Sequence, residues 1–304
     1  MSKYINLFIV FNLFLITGCA KYELISSGEI FKNLTPITFG DGVNISPAVN
    51  KEGTKIIYAS QRDGNYNIYL KNNPLEKSEV KKTNHAANSI DPCFSPDGTR
   101  FCYASNQNGN YDIYIMNTEK GFTSTQITNS ENDELSPNWS PNGELIIFAQ
   151  YSNVDQEWYI WTKNLTNGQL TQICKGTLPV FAPDGKTFYY KKIVNDSYFQ
   201  LFRIELDGEN DTQITDGKDW GVGTYCISPN GKKVLFSTAK YNIESEIEDN
   251  GLDLWALDLN SGDLIQITTY KGSDYYPAWS SLDDIYFVSD RMGKTNIWSF
   301  KANF

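Results

Sequence analysis

Along this chain, short apolar runs and turn-forming residues alternate on a regular beat. Ile56-Ile57-Tyr58, Ile146-Ile147-Phe148, Val234-Leu235-Phe236 and Ile285-Tyr286-Phe287 are unbroken apolar runs of strand length. Unbroken apolarity predicts strands covered on both faces. Tight-turn sequences precede them, clearest in Ser95-Pro96-Asp97-Gly98 and repeated as Ser-Pro-Asn-Gly at 140–143 and 228–231. Proline presets φ at the first corner, Asp or Asn bonds the local backbone, and Gly accepts the positive φ. A second glycine turn then opens another strand, as in Asp63-Gly64-Asn65-Tyr66-Asn67-Ile68-Tyr69 and Asn108-Gly109-Asn110-Tyr111-Asp112-Ile113-Tyr114. A short final strand carries Gln126-Ile127-Thr128, Gln172-Ile173, Gln213-Ile214-Thr215 and Gln266-Ile267-Thr268, with a weaker copy in Val80-Lys81-Lys82-Thr83.

The whole phrase recurs six times. Its anchor positions are 47, 92, 137, 179, 225 and 277, at intervals of 45, 45, 42, 46 and 52 residues. Four strands in about 45 residues is the signature of a propeller blade. The pattern predicts an all-β, six-bladed β-propeller over residues 30–304. The last copy ends after its third strand at Trp298-Ser299-Phe300, while Pro36-Ile37-Thr38 supplies an unmatched fourth strand near the other end. Pairing the N-terminal strand with the last blade would close the ring and remove its exposed edges. An irregular β-sandwich with chance repetition is the weaker alternative.

Gln-Ile-Thr, Asp91-Pro92-Cys93-Phe94-Ser95-Pro96-Asp97-Gly98 and the following glycine hairpin resemble the repeats of TolB-like propellers. The resemblance covers about residues 30–304. It implies the fold and leaves the activity open, since similar repeats occur in the regulatory propeller of prolyl oligopeptidase-type peptidases and in a pectin-oligomer lyase. TolB carries a further N-terminal domain, which the short stretch before the first strand here is not expected to contain.

The first residues differ from the repeats. Lys3 precedes the apolar run Leu7–Ile16, which is too short for a permanent span but suits a signal-peptide core. Ile16-Thr17-Gly18-Cys19 resembles a bacterial lipobox, so residues 1–18 read as a lipoprotein signal peptide and 19–29 as a tether. Cys19 is then the lipidation site, and its acyl chains would hold the propeller at a membrane of the bacterial cell envelope, periplasmic or outer-membrane. The ordinary secretory signal is the alternative.

Charge and residue counts narrow the chemistry. A formal net charge of −10 argues against nucleic acid, which needs a basic face. The single histidine, His85, removes arrangements that require two or three imidazoles; it falls in a loop expected to be solvated. No Gly-x-Ser-x-Gly elbow, phosphate loop or dinucleotide fingerprint occurs, and no catalytic residue, metal site or cofactor is assigned. Cys93, Cys102, Cys174 and Cys226 match no zinc or redox spacing and read as buried thiols. The acidic run 244–249 invites calcium, but its spacing is not that of an EF-hand.

What remains is a surface. The loops joining fourth to first strands and second to third strands emerge on one face. There the sequence places Arg62, Asp91, Tyr151, Trp220, Tyr241, Tyr275, Tyr276 and Arg291 as candidate binding residues. Rings supply area and charges supply orientation for a peptide or sugar. Arg62 and Arg291 recur at equivalent repeat positions, so each has a second reading as a brace within its own blade. The expectation is a monomeric, non-enzymatic, lipid-anchored scaffold that binds a protein, peptide or glycan. The rival is a carbohydrate-active enzyme, a polysaccharide lyase or glycan hydrolase, using carboxylates and tyrosines at the channel mouth. A third reading makes the chain one subunit of an envelope assembly.

Overall fold

A computed structural model describes residues 34–304 except 41, 120, 196 and 240–250, together with the backbone of 24–25. The signal sequence, Cys19, Tyr241 and the acidic run therefore lie outside the described residues, apart from its neighbour Gly251.

The described residues form six small antiparallel sheets, each a meander from an inner first strand to an outer fourth. Blade 1 runs Asn44–Val49, Ile56–Asp63, Asn65–Lys71 and Val80–Lys81, and blade 2 runs Ser89–Phe94, Arg100–Ser105, Asp112–Asn117 and Ser124–Gln126. Blades 3, 4 and 5 begin at Glu134–Trp139, Thr177–Phe181 and Tyr225–Ile227. Blade 6 takes Asp274–Trp279, Asp284–Ser289 and Asn296–Lys301 from the C-terminal repeat, and Thr35–Pro36 from the other end. Thr35 pairs with Ser299 and Pro36 with Trp298, which closes the ring as the repeat count required. Leu24–Ile25 adds a parallel strand to the outer edge of blade 5.

The core is divided among the seams between blades. Ile57, Ala59 and Leu70 of blade 1 pack on Phe101, Tyr103 and Tyr114 of blade 2. Ile37, Tyr286 and Ile297 of blade 6 pack on Ile56 and Tyr58 of blade 1, so the closing seam is as well buried as the others. A fully buried aliphatic or aromatic side chain contributes about 1.5–3 kcal/mol, and each second strand supplies several.

The Ile-Thr ending has a physical role. The isoleucine N–H bonds the third strand: Ile37 to the Ile297 carbonyl at 2.8 Å, Ile127 to Ile113 and Ile267 to Leu254 at 2.7 Å. The threonine Oγ1 then accepts a third-strand N–H, Thr38 from Ile297, Thr83 from Ile68, Thr128 from Ile113, and Thr268 from Leu254, each at 2.8 Å. Thr215 does the same from Leu201 at 2.9 Å. Five blades are thus latched after strand pairing stops. Blade 3 has Cys174 in that place, and its outer pair carries a register shift instead.

Candidate functional site

The six first strands surround a central channel. In five blades the residue before proline adopts a left-handed backbone: Ser46, Asp91, Ser136, Leu178 and Tyr276 have φ of 49–53°. Left-handed, non-glycine residues are uncommon, and a following proline restricts them further. Each coincides with a register shift between first and second strands, a bulge that turns the residue toward the channel. Blade 5 has Thr224-Tyr225 in place of X-Pro, and its first pair runs without that shift.

The channel encloses about 280 Å³. One half of its mouth is polar. Ser46 donates to one oxygen of Asp91 at 2.9 Å and Ser136 to the other at 3.2 Å, so the carboxylate of blade 2 ties together blades 1, 2 and 3. Burial pushes the Asp91 carboxyl up from its ordinary value, and the hydrogen bonds from Ser46 and Ser136 oppose that shift. The other half carries Leu178, Thr224 and Tyr276. Burial, and next the charge of Asp91, push the Tyr276 hydroxyl up to about 12, while a bond to Ser46 works the other way. The Tyr275 ring lies 5.3 Å from that of Tyr276. Tyr225 donates to the Leu178 carbonyl at 2.6 Å, closing the wall where proline is missing.

Asp91 and Tyr276 are therefore brought together in the channel wall, with Tyr275 packed against Tyr276. The other candidates are not. Arg62 donates through Nε to Ser60 at 2.9 Å, and Arg291 through Nε to Ser289 at 2.8 Å. Arg62 also pairs with Glu79, and Arg291 grips both oxygens of Asp274 at 2.9 and 2.7 Å. Both guanidiniums thus brace their own blades, and neither lines the channel. Tyr151 packs on Trp158 with ring centroids 5.3 Å apart and bonds Gln156 in the outer hairpin of blade 3. Trp220 stacks on Phe236 at 5.6 Å in the seam between blades 4 and 5.

Two tyrosines at the openings of third strands, Tyr66 and Tyr111, stand outside the channel lining. Burial shifts Tyr111 upward, with the charges of Asp133 and Asp91 adding to the rise, and burial alone shifts Tyr66 upward. Both follow glycine turns in the repeated Asn-Tyr step, where an aromatic reads as strand packing. His85, expected to be solvated, is half-buried, with Nδ1 shielded and Nε2 3.4 Å from the Ser89 hydroxyl. Cys93 and Cys102 stand opposite each other on neighbouring strands of blade 2, and the four described cysteines are thiols. Among the described residues, no three or more His, Cys, Asp or Glu side chains converge as a metal site.

Chemically, this mouth offers a shielded carboxyl acceptor beside the Tyr276 phenol. Such a site takes a cationic or hydrogen-bond-donating group and can admit a chain end or side chain of modest size.

Comparison with known proteins gives the same architecture. A segment of 135 residues is 30% identical to dipeptidyl-peptidase 5 of Porphyromonas gingivalis, covering 41% of this chain and 18% of the peptidase. The chain thus spans less than a fifth of that relative's length. Among solved structures, TolB from Acinetobacter baumannii superposes with a TM-score of 0.67 at 16% identity, over 84% of this chain and 65% of that one. Oligogalacturonate lyase from Vibrio parahaemolyticus gives 0.64 at 14% identity, over 88% and 93%. These two likenesses are of fold. Residues 32–222, well over half of the chain, match the TolB beta propeller domain, and the chain belongs to that family.

Proposed function

We propose that this protein is a lipid-anchored component of the bacterial cell envelope whose propeller binds a protein or peptide segment at the channel mouth without transforming it. The observation that carries the reading is the Asp91 carboxylate, held by hydroxyls from both flanking blades and faced by Tyr276. An acceptor fixed in a half-apolar collar loses little freedom when it engages a basic group, which is how pre-organisation adds affinity. The anchor rests on the Leu7–Ile16 run followed by Cys19.

The direct test compares wild-type protein with Asp91→Asn for binding of short basic and acidic peptides. The basic set should bind, and the substitution should weaken it about tenfold or more. Equal binding of both sets, or of both proteins, would overturn the reading. Acyl labelling lost in Cys19→Ala tests the anchor separately. The enzyme alternative draws on the fold likeness to oligogalacturonate lyase, and release of unsaturated products from galacturonate oligomers would establish it.

A further inference from the structure

One blade breaks the Ile-Thr ending on its apolar side. Residues 37, 127, 173, 214 and 267 are isoleucine, and the equivalent residue of blade 1 is Lys82. The equivalence is structural, because the Lys82 N–H bonds the Ile68 carbonyl at 2.7 Å as Ile127 bonds Ile113. Lys82 is 3% exposed. Its ammonium enters the seam with blade 2 and donates to the Thr118 and Gly121 carbonyls, both at 3.1 Å. An ammonium has three donors, so one remains. Burial lowers the Lys82 pKa, with no carboxylate contributing to the shift.

That donor borders a cavity of about 350 Å³. His85, Tyr103 and Ser124 supply polar groups to its wall, and Met116 and Phe122 supply apolar ones. The Phe122 ring lies 5.2 Å from the Lys82 ammonium and is 67% exposed at the rim. Neighbouring Lys81 is already paired with Asp63 at 2.7 Å, so the unneutralised charge belongs to Lys82. A cation buried in an apolar slot is costly unless an anion accompanies it.

We propose that this seam cavity binds a small organic carboxylate with a flat apolar body, its carboxylate on Lys82 and its body against Phe122 and Met116. The site lies apart from the channel and does not depend on the function proposed for it. Lysine replaces the isoleucine that packing would select, and the lining next to it combines hydroxyls with an exposed ring.

The test titrates the full-length protein with phenylacetate and, as a charge-inverted control, with 2-phenylethylamine, followed by ligand-observed NMR. Phenylacetate should bind in the millimolar range or tighter, and the amine should not compete. Lys82→Ile restores the residue of the other blades and should weaken phenylacetate about tenfold or more. Phe122→Ala, at the exposed rim, should weaken it severalfold and serves as the second variant if the isoleucine protein misfolds. Undetectable binding to wild type at about 10 mM, equal binding of the amine, or unchanged affinity in the folded variants would overturn the proposal.

Discussion

The Lys191 ammonium of blade 4 donates to the Gly223 carbonyl of blade 5 at 2.6 Å. It also donates to Val222 at 3.0 Å. Two departures from the repeat meet at this contact. Lys191 occupies the second-strand slot held by Ala59, Ala104 and Ala149 in blades 1 to 3. Residues 222–224 replace the bulged entry that an X-Pro step builds in the other five blades. Gly223 has no room for a side chain, since a Cβ would sit 2.5 Å from the Ser237 hydroxyl. Without the bulge, two carbonyls in blade 5 turn toward blade 4, and a lysine there satisfies them.

Lys191→Met should therefore orphan two carbonyls while keeping most of the packing. The expected cost at pH 7 is about 1–3 kcal/mol, less whatever is recovered by no longer burying a charge. The pH dependence separates these effects. Burial lowers the Lys191 pKa from 10.5 to about 8. Between those values the unfolded chain binds more protons than the folded one, so this group makes stability rise with pH from about 8 upward. Guanidinium midpoints at pH 7.5, 8.5 and 9.5 should climb for wild type relative to the variant. Parallel curves would show that Lys191 does not titrate in this window.

The threonine latch predicts a second set of effects. Thr128→Val removes the acceptor for the Ile113 N–H, a donor inside the sheet. The loss should be about 1–2 kcal/mol, and Thr128→Ser should recover most of it. Denaturant midpoints with unchanged slope would read this directly. Equal stability of the valine and serine variants would show that the latch contributes only packing.

Repetition made the ring legible, and departures from repetition carried the rest. Ile37-Thr38 could be assigned to the blade ending at Phe300 because a missing strand and an orphan strand complement each other. Arg62 and Arg291 could be read as braces for the same reason, and both sit on a second-strand serine. The clasp of Ser46 and Ser136 on Asp91 was hidden because it depends on how six strands converge on one axis, which linear spacing does not encode. Tyr151 and Trp220 looked exposed because loop aromatics carry no sign of the ring beneath them, Trp158 or Phe236. Lys82 stood in the sequence only as part of a weaker final-strand copy and Lys191 was not singled out, because only the seam geometry shows what each ammonium meets.

Asp253 supplies a third prediction. Burial pushes its carboxyl up from 3.8 to about 6, with the Asp274 charge adding to the rise and bonds from Thr268, the Tyr270 N–H and Gln266 opposing it. Between those values the folded protein holds more protons than the unfolded chain, so this group makes stability fall as pH rises from about 4 through 6. Asp253→Asn should remove that penalty while keeping the side chain's shape. Relative to wild type, the variant should gain about 1–2 kcal/mol at pH 7 and little at pH 4. A gain equal at both pH values would show that the carboxyl is not the titrating group.

The closing strand predicts how the ring fails. Ile37 is 1% exposed in the seam between blades 6 and 1, its N–H bonds Ile297, and its carbonyl accepts the buried Lys71 ammonium at 2.6 Å. Thr38 accepts the Ile297 N–H and donates to Asn296 at 3.1 Å. One residue thus couples the last blade to the first. Ile37→Ala should cost about 2–4 kcal/mol through the cavity it leaves. Because every blade needs a neighbour on each side, that loss should lower protection throughout the sheets. Hydrogen exchange should show the amides of Ile147 and Ile160 in blade 3, across the ring, losing protection together with that of Ile297. If exchange accelerates only in blade 6, the seam opens locally and the ring does not unfold as one cooperative unit.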